Sequence, residues 1–396
     1  MQKSRFKPED SPNEYRLLLA CARKDLSGQQ VKEGASAIRA GIDWSLLNRH
    51  AQAQGLSPLL YRNLQKHFAL EIPPSQDWRG RVAESGVRNL HLSAALVHIV
   101  EALRSAGIRA LAYKGPASAL GIWGDIALRE MSDLDILIDP ASFQAAQEVL
   151  SALEYKPIFA HSRRQKLARL RSDCQCEFFS AGSNVTVDLH WRITAPHLAP
   201  RFHFEDLWER RRVLTLGQKT FDTFSNEDTA LVLAVHGGKH LWQRLSWLAD
   251  FAEILRQDID WEILQSRSRE ARAERMLKLA IALARDVMRV SVPADCAAAI
   301  SKDRVVQNLS ATIERALFED SSIAQQNGAR WWSLVQLADR RWDSFRCAAH
   351  FAFGSGPREW ETVRLPDSLF SFYSVVRIAR LLRSAPTVLF HGRRAG

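Results

Sequence analysis

The sequence lacks the long apolar run that a membrane-spanning helix requires. Such a helix needs about 20 consecutive apolar residues, and no stretch of the 396 residues approaches that length. The first residues, MQKSRFKPEDSPNEYR, also contain no apolar segment of the kind found in a secretory signal. These two absences predict a cytoplasmic protein with no transmembrane segment.

Cysteine is scarce. The chain has five cysteines, which are Cys21, Cys174, Cys176, Cys296 and Cys347. This number is too small for a disulfide scaffold and suits a reducing compartment. Cys174 and Cys176 could begin a metal site, but no second cysteine pair follows, so free thiols are the preferred interpretation.

Acidic residues are fewer than basic residues, with 44 Asp and Glu against 54 Lys and Arg, and the formal net charge is +10. A basic balance favours polyanionic partners such as nucleic acid, anionic lipid or a nucleotide. The basic residues form three clusters, which are Arg163, Arg164, Lys166, Arg169 and Arg171; Arg210, Arg211 and Arg212; and Arg377, Arg380, Arg383, Arg393 and Arg394. Solvated basic helix faces are the simpler explanation, so a nucleic-acid partner is possible but weakly supported.

The hydrophobic pattern divides the chain into three regions. Apolar residues recur at helical spacing in residues 1–105 and again in residues 221–396, which end in a basic tail. The region between them, residues 106–220, alternates strand and helix signals. Strands are predicted at Ile108–Tyr113, Ser132–Ile138, Tyr155–Phe159, Cys176–Ser180 and Val185–Trp191, the last two forming a hairpin. The pattern predicts an α+β fold in which helical regions flank a small mixed sheet.

Three local signals refine this prediction. Asp43 and Ser225 are expected N-caps of helices. Residues 41–47 and 258–264 both contain Ile-Asp-Trp, which suggests equivalent helix starts on either side of the central region. In the tail, FSFYSVVRIARLLR could bind an anionic membrane or an RNA backbone, but packing of its apolar face with exposed arginines is the preferred interpretation.

The most informative segment is LAYKGPASALGIWGDIALREMSDLDILIDP, residues 111–140. It is typical of a strand, a Lys-Gly turn, a helix and a second strand that carries Asp133 and Asp135. Because strand side chains alternate between faces, these two carboxylates should point the same way. Neighbouring carboxylates repel each other unless a cation lies between them, and Mg²⁺ prefers oxygen ligands. The segment therefore predicts a metal-dependent site for phosphoryl or nucleotidyl transfer.

A third carboxylate is available in the predicted hairpin. In the sequence VTVDLHW, Asp188 and His190 share the face opposite to the apolar residues. In a two-metal site, Asp133 and Asp135 would bind both ions and Asp188 the catalytic ion. Alternatively, Asp133 is a turn residue and Asp188 an exposed strand carboxylate. His190 could act as a base, orient a carboxylate or be structural.

Cationic residues near these acids could bind a phosphate. Gly115 would let the backbone approach the phosphate closely, and Lys114 would supply a positive charge. Arg129, four residues before Asp133, could reach the same anion. A lysine in a turn is commonly only solvated, so this role is a hypothesis.

The segment HGGKHLWQRLSWLAD contains further candidates. His236 and His240 have a spacing that could bind zinc, but the glutamate of the His-Glu-x-x-His peptidases is missing between them. We expect this helix to lie beside the transfer site, with Lys239 and Arg244 facing the nucleotide or acceptor and Asp250 downstream. Ordinary polar groups of a helix interface are the alternative.

Together these motifs resemble a known family. The order KG, helix, RxMSDLDILI and VDLHW, followed by HGGKHLW and RLSWLAD, is similar to the uncharacterised nucleotidyltransferase family within the DNA polymerase β-like superfamily. The resemblance covers about residues 43–261. In the wider superfamily a Gly-Ser or Gly-Gly pair precedes the aspartates and binds the triphosphate. Here Lys114-Gly115-Pro116 holds that place.

The resemblance implies a polymerase β-like domain that moves a nucleoside monophosphate from an NTP, such as ATP, to an acceptor hydroxyl with Mg²⁺ or Mn²⁺. The acceptor could be a small molecule, a peptide or protein, or a sugar. Two alternatives stay open: a toxin-like transfer to RNA, and a catalytically inactive nucleotide-binding module.

Overall fold

A central five-stranded sheet lies among helices that precede and follow it. The computed structural model describes residues 11–69, 78–159, 162–318, 327–354, 356–363 and 365–391. No helix within these ranges is both long enough and apolar enough to cross a membrane.

The sheet is mixed and its strands come from the middle of the chain. Its strands are β1 Ala110–Ala112, β2 Leu134–Ile138, β3 Lys156–Pro157, β4 Gln175–Ser180 and β5 Val185–His190. They lie in the order β1-β2-β5-β4-β3, with β2 parallel to β5 and the other pairs antiparallel. A separate hairpin consists of β6 Arg212–Leu216 and β7 Lys219–Thr223. The α+β fold with a small mixed sheet is confirmed.

Helices make up the rest of the described chain. Before the sheet lie α1 Asn13–Cys21, α2 Gly28–Arg39, α3 Trp44–Ala53, α4 Ser57–Phe68 and α5 Trp78–Ser105. Between the strands lie α6 Pro116–Ser118, which continues into a π-helical turn at Ala119–Trp123, then short 3₁₀ turns at Ile126–Leu128 and Pro140–Ser142, α7 Phe143–Ala152, α8 Arg163–Ser172 and α9 Phe204–Glu209. The remaining helices are α10 Asn226–Lys239, α11 Leu245–Leu255, α12 Trp261–Glu270, α13 Glu274–Asp286, α14 Ala294–Lys302, α15 Arg304–Phe318, α16 Asn327–Gln336, α17 Arg341–Phe353, α18 Pro357–Thr362, a 3₁₀ turn Asp367–Phe372 and α19 Tyr373–His391.

The predicted helix starts are present. The side chain of Asp43 accepts a hydrogen bond from the backbone N–H of Leu46 at 2.9 Å, and Asp260 accepts one from Ile263 at 2.9 Å. The Ser225 hydroxyl caps α10 in the same way. The repeated Ile-Asp-Trp sequence therefore marks two helices that begin with the same aspartate cap.

Helices from both ends of the chain share one apolar core. Leu17 and Leu60 of the first helices belong to the same buried cluster as Phe251 and Leu279 of α11 and α13. The domain boundaries at about residues 105 and 220 stay predictions. The shared core means that the helices before and after the sheet support each other through buried apolar contacts.

The sequence analysis missed one element of the fold. The β6–β7 hairpin was not predicted, although VLTLGQKTFDTF alternates apolar and polar residues around Gly217, whose φ is +61°.

The expectation for the basic tail is wrong. In α19, Arg377 and Arg380 are not free on the surface, because both donate hydrogen bonds to the buried carboxylate of Glu359. The apolar face of the tail is instead largely exposed at Phe372, Val375 and Leu382. Arg393 and Arg394 lie outside the described residues.

The free-thiol interpretation of the cysteines is confirmed. All five lie in the described part of the chain, are buried and form no disulfide. Burial raises the pKa of the Cys21 thiol to about 12 and that of Cys174 to about 11. These cysteines therefore act as small apolar core residues.

The paired glycines of α10 offer a test of the packing. A Cβ on Gly237 would lie 2.4 Å from an indole carbon of the fully buried Trp242. Replacing glycine with alanine within a helix normally stabilises it by about 1 kcal/mol, but overpacking of a core costs about 1–3 kcal/mol. We expect Gly237→Ala to lower the free energy of unfolding in a urea titration.

Gly86→Ala in α5 is the matched control, because no heavy atom lies within 4 Å of its added Cβ. This variant should be as stable as the natural protein or more so. Equal stabilisation by both alanines would contradict the packing of Trp242 against α10.

Candidate active site

Asp135, in β2, lies at the centre of a buried polar cluster. Its side chain is 3% exposed. The Nζ of Lys114 donates a hydrogen bond to its Oδ1 at 2.8 Å, and the Nε2 of His190 lies 3.0 Å from the same oxygen. Because a carboxylate only accepts, Nε2 carries the hydrogen of the imidazole. The predicted orienting role of His190 is compatible with this geometry.

The two partners of Asp135 fix its charge. Burial alone would raise the pKa of this carboxyl, but the Lys114 ammonium and the His190 hydrogen bond outweigh it and hold the pKa well below its usual value. Burial in turn lowers the pKa of His190, although the hydrogen bond to Asp135 opposes that shift. The cluster thus contains an ionised aspartate, a lysine ammonium and a neutral histidine.

Asp188 lies directly beside Asp135 on the neighbouring strand. The parallel pairing of β2 with β5 places these two residues opposite each other. The Nε2 of Gln175 donates to Oδ2 of Asp188 at 2.6 Å. Burial, followed by repulsion from Asp135 and Asp133, raises the pKa of Asp188 to about 7. The sequence-based expectation that the hairpin carboxylate meets the β2 carboxylate is confirmed.

A candidate metal group consists of Asp135, Asp188 and His190. One ligand atom from each residue lies within 4.8 Å of the other two. Asp133 is not part of this group. It precedes β2, so the alternation rule that paired it with Asp135 does not apply, and its Oδ1 accepts a hydrogen bond from the Ser132 hydroxyl at 3.0 Å. Burial and the charge of Asp135 raise the pKa of Asp133, so its carboxylate belongs to the same electrostatic cluster from a more exposed position.

The Lys-Gly turn packs tightly against the start of β2. Gly115 has a φ of +51°, and a Cβ at this position would lie 2.8 Å from the carbonyl oxygen of Asp133. Only glycine permits both the conformation and the close approach. The turn therefore brings Lys114 to Asp135, whereas the sequence predicted a contact of this lysine with phosphate.

A cleft of about 180 Å³ opens above these acids. It is lined by Gly55, Lys114, Gly115, Arg129, Glu130, Ser132, Asp133, Asp135, His236, Arg244, Ser246 and Trp247, among others. The predicted candidates Lys114, Gly115, Arg129, His236 and Arg244 are thus brought together with two of the three aspartates. Asp188, His190, Lys239, His240 and Asp250 do not line this cleft in the structure.

Arg129 is held in place by Asp250. Its Nε donates to Oδ2 of Asp250 at 2.8 Å, and the indole Nε1 of Trp123 donates to Oδ1 at 2.7 Å. Asp250 is buried, so its carboxylate needs both partners. Asp250 therefore positions an arginine at the cleft and is not itself available to an acceptor.

The helix that carries the two histidines contributes an aromatic wall. The rings of His236 and His240 are 4.8 Å apart, and the ring of Trp247 lies 4.9 Å and 5.3 Å from them. Burial lowers the pKa of His236 well below its usual value and that of His240 to about 3, so both rings are neutral. Neither belongs to the candidate metal group among the described residues. Lys239 does not line the cleft, although its charge lowers the pKa values of His190, His236 and His240.

Three site residues escaped the sequence analysis. Gln175, which holds Asp188, directly precedes a predicted strand and is paired with His190 across the hairpin. Glu130 and Trp247 line the cleft and lie within the RxMSDLDILI and RLSWLAD segments, but the sequence analysis gave neither a role. The hairpin register could have identified Gln175, because it lies on the same face of the sheet as Asp188.

Comparison with known proteins places this site in a family. No curated protein matches the sequence. A crystal structure of an antigenic nucleotidyltransferase-like protein from Paracoccidioides brasiliensis matches with a TM-score of 0.34 and 14% identity, over 53% of this chain and 92% of that chain. The resemblance noted in the sequence, over about residues 43–261, lies within the range matched by a family profile. That profile, described as uncharacterised nucleotidyltransferase, matches residues 40–289, more than half of the chain, and the protein therefore belongs to this nucleotidyltransferase family.

Proposed function

We propose that the protein transfers a nucleoside monophosphate from an NTP to an acceptor hydroxyl, with Mg²⁺ or Mn²⁺ bound by Asp133, Asp135 and Asp188. The observation that carries this proposal is the pairing of Asp135 with Asp188 across adjacent strands, next to a cleft lined by cationic side chains. Family membership supports the type of reaction.

The carboxylates fit a divalent cation. Mg²⁺ prefers oxygen ligands, and the raised pKa values of Asp188 and Asp133 reflect burial together with mutual repulsion that a cation would relieve. His190 is already engaged with Asp135, so it orients the carboxylate. When bound, the cation would polarise the phosphate and stabilise charge on the leaving group.

The cleft suits the triphosphate of the donor. Arg129, Lys114 and Arg244 line its wall together with Glu130, Asp133 and Asp135, and the charge of Arg244 acts on Glu130. Trp247, beside the neutral ring of His236, offers a flat apolar surface for a nucleotide base.

The reaction assigns different tasks to the aspartates. The acceptor oxygen forms a bond to the α-phosphorus, the bond from that phosphorus to the bridging oxygen breaks, and pyrophosphate leaves. The proton of the acceptor hydroxyl passes to water. Asp188 would ligate the cation, which would relieve the repulsion that raises its pKa to about 7. Asp135 remains ionised because Lys114 and His190 stabilise its charge.

The basic residues give little support to transfer to RNA. Arg210 forms an ion pair with Asp228 at 2.9 Å, and Arg211 forms one with Asp222 at 2.9 Å. These arginines pair with carboxylates of the fold, so this basic cluster offers few free cations to a polyanion. All three carboxylates are present and cluster electrostatically, which argues against an inactive module.

The function is tested by incubating the protein with each of the four α-³²P-labelled NTPs and Mg²⁺ or Mn²⁺. We expect cation-dependent transfer of label. Asp135→Asn and Asp188→Asn should each reduce transfer at least 100-fold, since they remove cation ligands. Asp295→Asn, on the exposed start of α14, is the control and should be fully active. Retained transfer in either site variant refutes the assignment.

The two aspartates of the β2 motif should differ in their effect on stability. Asp135→Asn leaves the ammonium of Lys114 without its counter-charge, and loss of one partner of a buried pair costs about 3 kcal/mol. Asp133→Asn removes a carboxylate at the rim that has no cationic hydrogen-bond partner among the described residues. Urea unfolding should therefore show a large loss for Asp135→Asn and little change for Asp133→Asn. Equal losses would contradict the pairing with Lys114.

The stability of the metal-free protein should depend on the charge of Asp188. Its pKa rises from 3.8 to about 7 on folding. The folded state therefore binds more protons than the unfolded state between pH 3.8 and about 7, so stability falls as the pH rises through this window and the loss is complete above about pH 7. Asp188→Asn removes the charge, so it should raise the melting temperature at pH 8 in EDTA and change it little at about pH 4. A lower melting temperature at pH 8 would show that Asp188 is stabilised by its surroundings.

A further inference from the structure

A groove much larger than the cleft runs along the sheet and ends at the candidate active site. It lies between the first half of α5 and the β4–β5 hairpin and has a volume of about 1000 Å³. Val87 and Leu92 form one wall, and Phe179 and Thr186 form the other. Ser132 lines both the groove and the cleft, so the two spaces meet beside Asp133.

The strand register connects the groove to Asp188. Phe179 is paired with Thr186, and Glu177 with Asp188, across the β4–β5 hairpin. Thr186 and Asp188 are two positions apart on one strand, so their side chains share a face and lie about 7 Å apart along it. A molecule that covers Thr186 could therefore extend to Asp188 along the same face of the sheet.

The groove carries few charges. Its ionisable lining residues are Glu84, Arg88 and His91. The His91 ring makes a hydrogen bond to the carbonyl oxygen of Ser183, so it is already engaged. A nucleic acid bound along the groove would require several free cations to neutralise its phosphates. The groove therefore suits an acceptor without a dense negative charge.

The exposed surface of the groove favours a polypeptide over a small molecule. Pockets for small ligands enclose most of the ligand, whereas the walls of this groove are exposed. Val87 and Phe179 are 68% and 37% exposed, respectively. Apolar side chains beside the amide of Asn184 and the hydroxyl of Thr186 match the alternating needs of an extended peptide.

We propose that the acceptor is an extended polypeptide segment that lies in this groove and presents a serine, threonine or tyrosine hydroxyl next to Ser132 and Asp188. This inference rests on the proposed nucleotidyl transfer. The hydroxyl oxygen forms the new bond to the α-phosphorus, its proton passes to water, and pyrophosphate departs. The product is a protein-linked nucleoside monophosphate.

The test uses two groove variants, Val87→Glu and Phe179→Glu. The control is Leu90→Glu, because Leu90 lies on the same helix, is 62% exposed and does not line the groove. The probe is an array of degenerate peptides with a central serine, threonine or tyrosine, incubated with α-³²P-labelled NTPs and Mn²⁺. We expect labelled peptides, a loss of at least tenfold in kcat/KM for both groove variants, and a change below twofold for the control.

Nucleotide binding is measured in parallel with fluorescent N-methylanthraniloyl derivatives of ATP and GTP and Mn²⁺. Unchanged binding in all four proteins, together with loss of peptide labelling in the groove variants, supports the proposal. If nucleotide binds but no peptide is labelled, if label enters RNA or sugar, or if the groove variants transfer at the natural rate, the peptide acceptor is refuted. If the natural protein does not bind nucleotide and does not transfer label from any NTP, the proposed function itself fails.

A second measurement does not depend on folding of the glutamate variants. The native cysteines are buried, so Val87→Cys and Leu90→Cys each introduce one exposed thiol. A peptide that is labelled on the array should slow maleimide modification of Cys at position 87 at least fivefold and leave position 90 unaffected. Equal rates at both positions with saturating peptide would overturn the placement in the groove.

Discussion

The parallel pairing of β2 with β5 is the constraint on which the site depends. It places Asp135 opposite Asp188 in register, on strands about 4.8 Å apart. Two carboxylates at that distance cannot both ionise without compensation. Lys114 and His190 compensate one of them through a single oxygen, so the pKa of Asp135 falls and that of Asp188 rises to about 7. The same pair therefore supplies one permanent charge and one group that exchanges protons near neutral pH.

Contacts between distant parts of the chain hold this pair in place. The backbone N–H of Ser246 donates to the carbonyl of Gln54, and that of Leu245 donates to the Gln54 side chain at 2.7 Å. Gly55, at the same turn, has a φ of +68° and lines the cleft. The α3–α4 turn and the start of α11 thus form one wall together. The ion pair of Arg129 with Asp250 joins α11 to the segment that precedes β2.

Local patterns in the sequence predicted most of the strands and helices near the site, but they did not predict which distant side chains contact each other. The β4–β5 hairpin, the aspartate caps and the motif strand follow from alternation and capping, which depend on neighbours in the chain. The partners of Lys114 and Arg129 could not be predicted in this way, because Lys114 meets Asp135 across 21 residues and Arg129 meets Asp250 across 121 residues. The contact of Gln175 with Asp188, in contrast, follows from the hairpin register. The same limit applies to Arg377, whose carboxylate partner Glu359 is buried.

The net charge of +10 does not by itself identify the partners of the protein. Read from composition alone, it points to a polyanionic acceptor. In the structure, Arg210 and Arg377 pair with buried carboxylates, and the cleft is lined by three cations and by three carboxylates. The groove is lined by one glutamate, one arginine and one histidine. The positive excess of the chain therefore lies outside both spaces, and it is silent about the acceptor proposed for the groove.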